Sequence, residues 1–319
     1  LHSRPAISQK GKHLTTPVAA APHIISDVEY YRLREMLFRE FPEELDELSR
    51  RCETTGTGKT DPDNIWLYSG GKPLFTNMSV KAGRRSETAW HAGLFPTWQA
   101  MGSADWDIQY RKGKNARRTD NFEIKGDAAK AFVSKLGKFT TLADGTRFKR
   151  PRTARFRLYA MQSLAKWLVR QATETGKPDI GLSNLGEALN PKASIETVAA
   201  TCRALASEFG LGWGVTTVLH AMMDCGFWVV KPDVHLVKTV AKLGCLKDPA
   251  LALASSEKYL KKEACLFEVV GVARELATRI TPLPQSQGKA IREVDVVLMR
   301  ANYRGLVEKF RSSPGEQAA

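Results

Sequence analysis

Apolar positions spaced three and four apart mark residues 27–51 (DVEYYRLREMLFREFPEELDELSRR) as helical, with a break at Pro42, which cannot continue the hydrogen-bond ladder. The same spacing predicts helix at 127–137. A long helix follows at 153–174, its apolar face carrying Phe156, Tyr159, Leu164, Trp167 and Leu168. Another spans 194–208, with Ser194 and Thr197 as the capping side chains. From there to the C-terminal end the pattern is almost entirely helical, and 286–311 contains a basic amphipathic stretch, KAIREVDVVLMRANYRGLVEKF. Residues 64–125 have no clear period and define no elements. No solenoid-length repeat is present. The expected class is therefore mainly α. The expected divisions are a flexible basic tail at 1–25, an N-terminal accessory region at 26–152, a helical core at 153–311 and a second tail at 312–319.

One segment breaks the helical pattern informatively: FGLGWGVTTVLHAMMDCGFWVVKPDVHLVKTVAKLG, residues 209–244. A helix ends at Phe209-Gly210, a turn carries glycine at 210, 212 and 214, and an apolar helix starts near Val215. Those glycines permit left-handed backbone and close approach of another surface. The unpaired N–H groups opening the second helix form an anion site suited to a phosphate. Pro232 then stops helix before it, and Asp233 begins the next one in the position of an N-cap.

Charge narrows the partner. The 319 residues carry 48 Lys and Arg against 34 Asp and Glu, a formal net charge of +14, which implies a polyanionic partner. Trp, Tyr, Arg and Lys alternate through 64–125, a composition suited to holding unstacked bases and phosphates. Within it the run Arg111, Lys112, Lys114, Arg117 and Arg118 is the strongest phosphate-contact candidate. The five cysteines, at 52, 202, 225, 245 and 265, lack metal-ligand spacing and read as reduced thiols, so neither a metal nor another cofactor is expected. The piece GTGKT at 56–60 falls short of a phosphate-binding loop. Glu53 stands where that motif needs its first glycine, and Asp61-Pro62-Asp63 follows.

A hydrophobic-Gly-hydrophobic-Gly hairpin, an apolar helix and an aspartate capping the next helix together resemble the helix-hairpin-helix DNA glycosylase superfamily. Gly214 to Asp233 is 19 positions, and Pro232-Asp233-Val234-His235 is similar to the family's aspartate signature. The resemblance covers 190–245, and more loosely 153–300, where Arg292-Glu293-Val294-Asp295 resembles a late helix of some bacterial relatives. It implies a two-lobed, mainly α glycosylase fold with an extended N-terminal region. Asp233 would be the catalytic carboxylate. Gly210, Gly212, Trp213, Gly214, Val215, Thr216, Lys231, His235 and Lys238 would face DNA. Trp213 is either a wedge or a packing residue at the hairpin tip, and His235 either a phosphate contact or a polar helix residue. Bifunctional members carry a lysine just after the hairpin, where this chain has Val215, Thr216 and Thr217. The resemblance thus implies a monofunctional enzyme that leaves an abasic site.

Base flipping would be followed by departure of the base, with an ionised Asp233 stabilising the positive charge left on the sugar. The base pocket would draw on Trp106, Tyr110, Phe122, Glu123, Tyr159 and Gln162. The long basic and aromatic N-terminal region suggests a bulky modified pyrimidine, such as glucosylated hydroxymethylcytosine in phage DNA excised as antiviral defence. Repair of alkylated, deaminated or oxidised bases stays open, as do a non-catalytic DNA-binding module and a base-modifying enzyme. The expected setting is a monomer in the bacterial cytoplasm, bound to double-stranded DNA and to no membrane.

Overall fold

The computed structural model describes residues 23–75, 80–111, 121–135, 139–141, 147–149, 155–173 and 181–312. They are mainly helical. The first helix, α1 (Asp27–Glu40), opens on a capping box in which Ser26 and Glu29 satisfy each other's backbone amides. The chain breaks at Phe41-Pro42 and resumes as α2 (Glu43–Glu53). In the stretch without sequence periodicity lie α3 (Pro62–Ser69), α4 (Lys72–Phe75), α5 (Val80–His91) and α6 (Trp98–Gly102). A two-stranded antiparallel ribbon follows, β1 (Ile108–Tyr110) with β2 (Phe122–Ile124), in which Gln109 faces Glu123. Helix α7 (Asp127–Lys135) leads to a second ribbon, β3 (Phe139–Thr141) with β4 (Arg147–Lys149).

The long helix α8 (Arg155–Thr173) buries Leu164, Trp167 and Leu168 as its pattern predicts, while Phe156 and Tyr159 are half-buried. After α9 (Leu182–Ala188) come α10 (Ile195–Phe209), α11 (Val215–Asp224) and α12 (Val234–Lys242). The C-terminal part adds α13 (Pro249–Ala254), α14 (Ser256–Lys261), α15 (Glu263–Arg279), α16 (Ala290–Tyr303) and α17 (Leu306–Ser312). Ser194 caps α10 by accepting from the Thr197 amide.

Two helices organise the packing. α8 lies against α4, α6, α10 and the first ribbon, while α16 lies against α1, α2, α12, α15 and α17. The main hydrophobic core runs from Ile25 to Phe310 and takes in α1 and α3 to α6 with the later helices, whereas Leu48 and Cys52 of α2 form a separate small cluster with Val296 of α16. The amphipathic expectation for 286–311 needs correcting at α16, where Arg292, Glu293 and Asp295 are themselves buried. Their charges are met inside the molecule. Glu293 accepts from Arg34 at 2.8 Å, Tyr30 at 3.2 Å and the Leu283 amide at 2.7 Å.

Candidate functional site

The link between α10 and α11 is a tight glycine turn. Gly210 and Gly212 hold φ of 68° and 99°, the left-handed region in which a side chain is strained. A Cβ on Gly212 would also stand 2.6 Å from the Cβ of Ala160, so α8 and the turn approach too closely for anything but glycine. Gly214 starts α11 without a side-chain cap, and its surroundings are open. The first amides of α11, at Val215 and Thr216, take no hydrogen bond among the described residues. They are available to an anion.

Trp213 is a packing residue and not a projecting wedge. Its side chain is buried, its indole N–H donates to the Ala160 carbonyl at 2.7 Å, and its ring stands edge-on to Phe209.

The chain from α11 to α12 is pinned along its length. The Trp228 amide donates to the Leu189 carbonyl at 2.9 Å, and Val229 and Val230 are fully buried. From α15, the buried Arg274 donates to the carbonyls of Trp228, Asn190 (3.0 Å) and Ala193 (2.7 Å), clamping the loop from behind. The loop delivers Asp233 to the start of α12. Its Oδ1 accepts from the amides of His235 (2.9 Å) and Leu236 (2.8 Å), while Oδ2 takes no hydrogen bond among the described residues. One oxygen therefore holds the helix end and the other has no hydrogen-bond partner among the described residues.

His235, two residues on, has a determined tautomer. Lys242 can only donate, so its contact with Asn302 Oδ1 at 2.8 Å fixes that amide. Asn302 Nδ2 then donates to His235 Nδ1 at 3.0 Å, and the neutral ring carries its proton on Nε2. The exposed Tyr303 stands edge-on to the same ring.

The structure also holds a largely buried charged cluster that the sequence analysis did not find, and the charge of Asp233 acts on one of its members, Asp295. Asp224 on α11 is ion-paired with both Lys72 of α4 and Arg292 of α16. Arg292 also reaches Asp295 at 3.4 Å and the Thr55 hydroxyl at 3.0 Å, and Arg51 of α2 lies 4.0 Å from Asp295. His220, one turn before Asp224, stands 3.5 Å from Lys72 and 3.6 Å from Asp224 with its side chain 27% exposed. Burial, followed by the charges of Lys72, Lys231, Arg292 and Arg51, holds the imidazole well below its ordinary range, so it is neutral at pH 7. Burial, and then the charge of Arg292, pushes the Lys72 ammonium down to about 7; Lys231 adds to the fall, while Cys225 and Glu87 oppose it. Burial raises Asp295 above its ordinary range despite Arg292 and Arg51, and the charge of Asp233 adds to the rise. The signal available in the sequence was His220 and Asp224, two ionisable residues at i and i+4 on a helix with no other ionisable side chain.

The remaining expected residues are distributed as follows. Lys231 and Lys238 are half-buried on the loop and on α12. Arg111 is exposed and pairs with Glu123 at 2.5 Å, whereas Lys112, Lys114, Arg117 and Arg118 lie outside the described residues. Trp106 and Phe122 are buried in the core, and Gln162 is used up by β1, accepting from the Ile108 amide at 2.8 Å. Phe122, Tyr110 and Tyr159 form one aromatic cluster under the first ribbon. Among the described residues no hydrogen bond or ion pair joins these six side chains to Asp233.

The glycines of GTGKT serve packing. The Gly56 and Gly58 amides donate to the carbonyls of Asp224 (2.7 Å) and Cys225 (2.8 Å), so they are spent on the end of α11. Among the described residues no trio of His, Cys, Asp or Glu is arranged to hold a metal, and no helix is long and apolar enough to cross a membrane. No family model, curated protein or solved structure matches the chain.

Proposed function

We propose that the chain is a monofunctional DNA glycosylase with a helix-hairpin-helix fold and Asp233 as its catalytic carboxylate. The observation that carries this reading is the divided carboxylate of Asp233. One oxygen is locked by two amides of α12, and the other is open at the end of a loop clamped by Arg274. A carboxylate held this rigidly suits stabilisation of a cationic sugar, because it need not reorganise as charge develops.

The supporting parts are those a flipped nucleotide requires. The open amides at the start of α11 suit a backbone phosphate without reading sequence. The Nε2–H of His235, with Lys238 on the same helix, suits a second phosphate. The proposed reaction breaks the C1′–N bond, with Asp233 facing C1′ and orienting the water that adds there. Thr216 and its neighbours offer no amine at the hairpin, so the product is an intact abasic site. A bulky modified pyrimidine of phage DNA is the proposed substrate. In its support, helices of the N-terminal region pack into the same interior as the helices that flank Asp233.

The decisive assay is abasic-site formation in genomic DNA from ordinary bacteria and from phages with hydroxymethylated or glucosylated cytosine. Sites in phage DNA alone support the proposal. Sites only in alkylated or deaminated DNA would move the enzyme to repair. The double cap at Asp233 Oδ1 favours one other reading, a DNA-binding module in which the residue is only structural, and this predicts binding with no abasic sites in any DNA.

A further inference from the structure

Among the described residues the large apolar side chains left exposed are Ile24, Val28, Leu67, Leu253 and Tyr303, and one of them is aromatic. Tyr303 ends α16 with 59% of its surface open, yet its ring is held by its neighbours. His235 of α12 stands edge-on to it at 5.6 Å, and the guanidinium carbons of Arg300 and Arg304 lie 5.6 Å and 5.8 Å from its centre. Those supports are fixed in turn. Glu44 pairs with Arg300 at 3.1 Å and with Arg304 at 2.6 Å, and Asn302 holds His235 at 3.0 Å. An exposed ring that is already ordered loses little freedom when a ligand stacks on it. Cations continue the same surface. His235, Lys238 and Lys242 lie at i, i+3 and i+7, on one face of α12. Asn302 joins the two parts, because its side-chain amide reaches both His235 and Lys242. Beyond it, Lys242, Glu308, Arg311 and Ser312 line an open hollow of about 420 Å³ between α12 and α17. Glu308 is taken by Lys242, which leaves Lys238 and Arg311 with no acid partner among the described residues.

We propose that this face of α12, α16 and α17 binds an unpaired stretch of a DNA strand, with Tyr303 stacking on a base and the cations taking its phosphates. The inference rests on the DNA partner proposed above and not on a catalytic role for Asp233. A base offers its face to a side chain only where it has left the helical stack, since neighbouring pairs cover that face in an intact duplex. Aromatic rings set among cations hold such bases without reading sequence. The charged surroundings also mark Tyr303 off from an apolar protein-docking face. The Nε2–H of His235 is a donor that a phosphate oxygen accepts, and Lys238 and Arg311 supply further charge. The His235 amide donates to Asp233 Oδ1 at 2.9 Å, so the helix end that fixes the carboxylate also carries the imidazole set against Tyr303. The contribution of Tyr303 should therefore appear only on DNA with unpaired nucleotides.

The test is fluorescence anisotropy with a labelled single strand of about 15 nucleotides and with the same sequence as a blunt duplex. Tyr303→Leu should weaken single-strand binding about tenfold, the scale of one lost stack, and leave duplex binding within about twofold. Tyr303→Phe should keep single-strand binding, because the ring and not the hydroxyl makes the contact. Strands carrying 2-aminopurine at successive positions should show a fluorescence change on binding wild type that Tyr303→Leu loses. Unchanged single-strand affinity in Tyr303→Leu, equal weakening on strand and duplex, or a wild type that binds no single strand would each overturn the inference. Abasic-site formation judges the enzyme separately. A wild type that holds the strand through Tyr303 but makes no abasic sites keeps this inference and removes the glycosylase. One that makes abasic sites with no selective loss in Tyr303→Leu does the reverse.

Discussion

At the residue scale, two glycines of one turn do different work. Gly212 combines positive φ with a 2.6 Å approach to Ala160, whereas Gly210 has positive φ and nothing within 4 Å of a built Cβ. Gly212→Ala should therefore lose about 3 kcal/mol and Gly210→Ala about 1 kcal/mol, on the usual costs of backbone strain. Urea denaturation at pH 7 reads both. Equal losses would mean that the contact with α8 is not tight. The glycine pattern and the capping role of Asp233 were legible in the sequence because both are local backbone demands. The direction of Trp213 was not, because it is set by Ala160, 53 residues earlier, whose carbonyl takes the indole proton. The same holds for Gln162, which is tied to Ile108 and not to a base.

At the element scale, the loop before α12 depends on Arg274. Arg274→Met keeps the apolar stem but leaves the carbonyls of Trp228, Asn190 and Ala193 without their donor. A loss of about 3 kcal/mol in denaturant unfolding is expected, from roughly 1 kcal/mol per unmet buried acceptor. Abasic-site formation should fall about a hundredfold at temperatures where the variant is still folded, because the carboxylate is displaced.

Glu47 of α2 contributes an acid sensitivity through its own helix. Burial pushes the Glu47 carboxyl up, but its bonds to Arg51 and Arg50 outweigh that and hold it at about 2. Its folded value lies below the unfolded value of about 4.3. The stabilisation is complete above the unfolded value and is lost as pH falls towards about 2. The midpoint of thermal unfolding should therefore drop between pH 5 and pH 3, and less so in Glu47→Gln. An equal drop in both would assign the acid loss to other groups. The sequence pattern did not show the partners of α16 for a related reason. Arg300, and Arg304 just after the helix, meet Glu44 and Glu47, acids from the other end of the chain.

At the scale of the whole molecule, the helical class was legible from periodicity, but the joining of the N-terminal region to the rest was not. Helices such as α4 and α6 span four and five residues, too few to show a period. Leu74 of α4 and Trp98 of α6 enter a core built mainly by distant helices. The same blindness hid the cluster around His220, whose members come from positions 51 to 295.

The net charge of +14 predicts that DNA affinity falls steeply with salt, as bound cations are released from the phosphates. Lys238→Ala should weaken binding about equally on all sequences and reduce the slope of log affinity against log salt by about 1. An unchanged slope would remove Lys238 from the DNA-facing surface.

The central claim, that Asp233 acts on a sugar and not only on a helix end, is tested most directly with Asp233→Asn. Asparagine caps a helix about as well as aspartate, so the fold and the affinity for abasic DNA should persist. The measurement is abasic-site formation by wild type and variant on whichever DNA the wild type cuts. A fall of about a thousandfold with binding intact is the predicted result, on the scale of removing one electrostatic stabiliser. Equal activity in the two proteins, or no abasic sites from the wild type on any modified or damaged DNA, would contradict it.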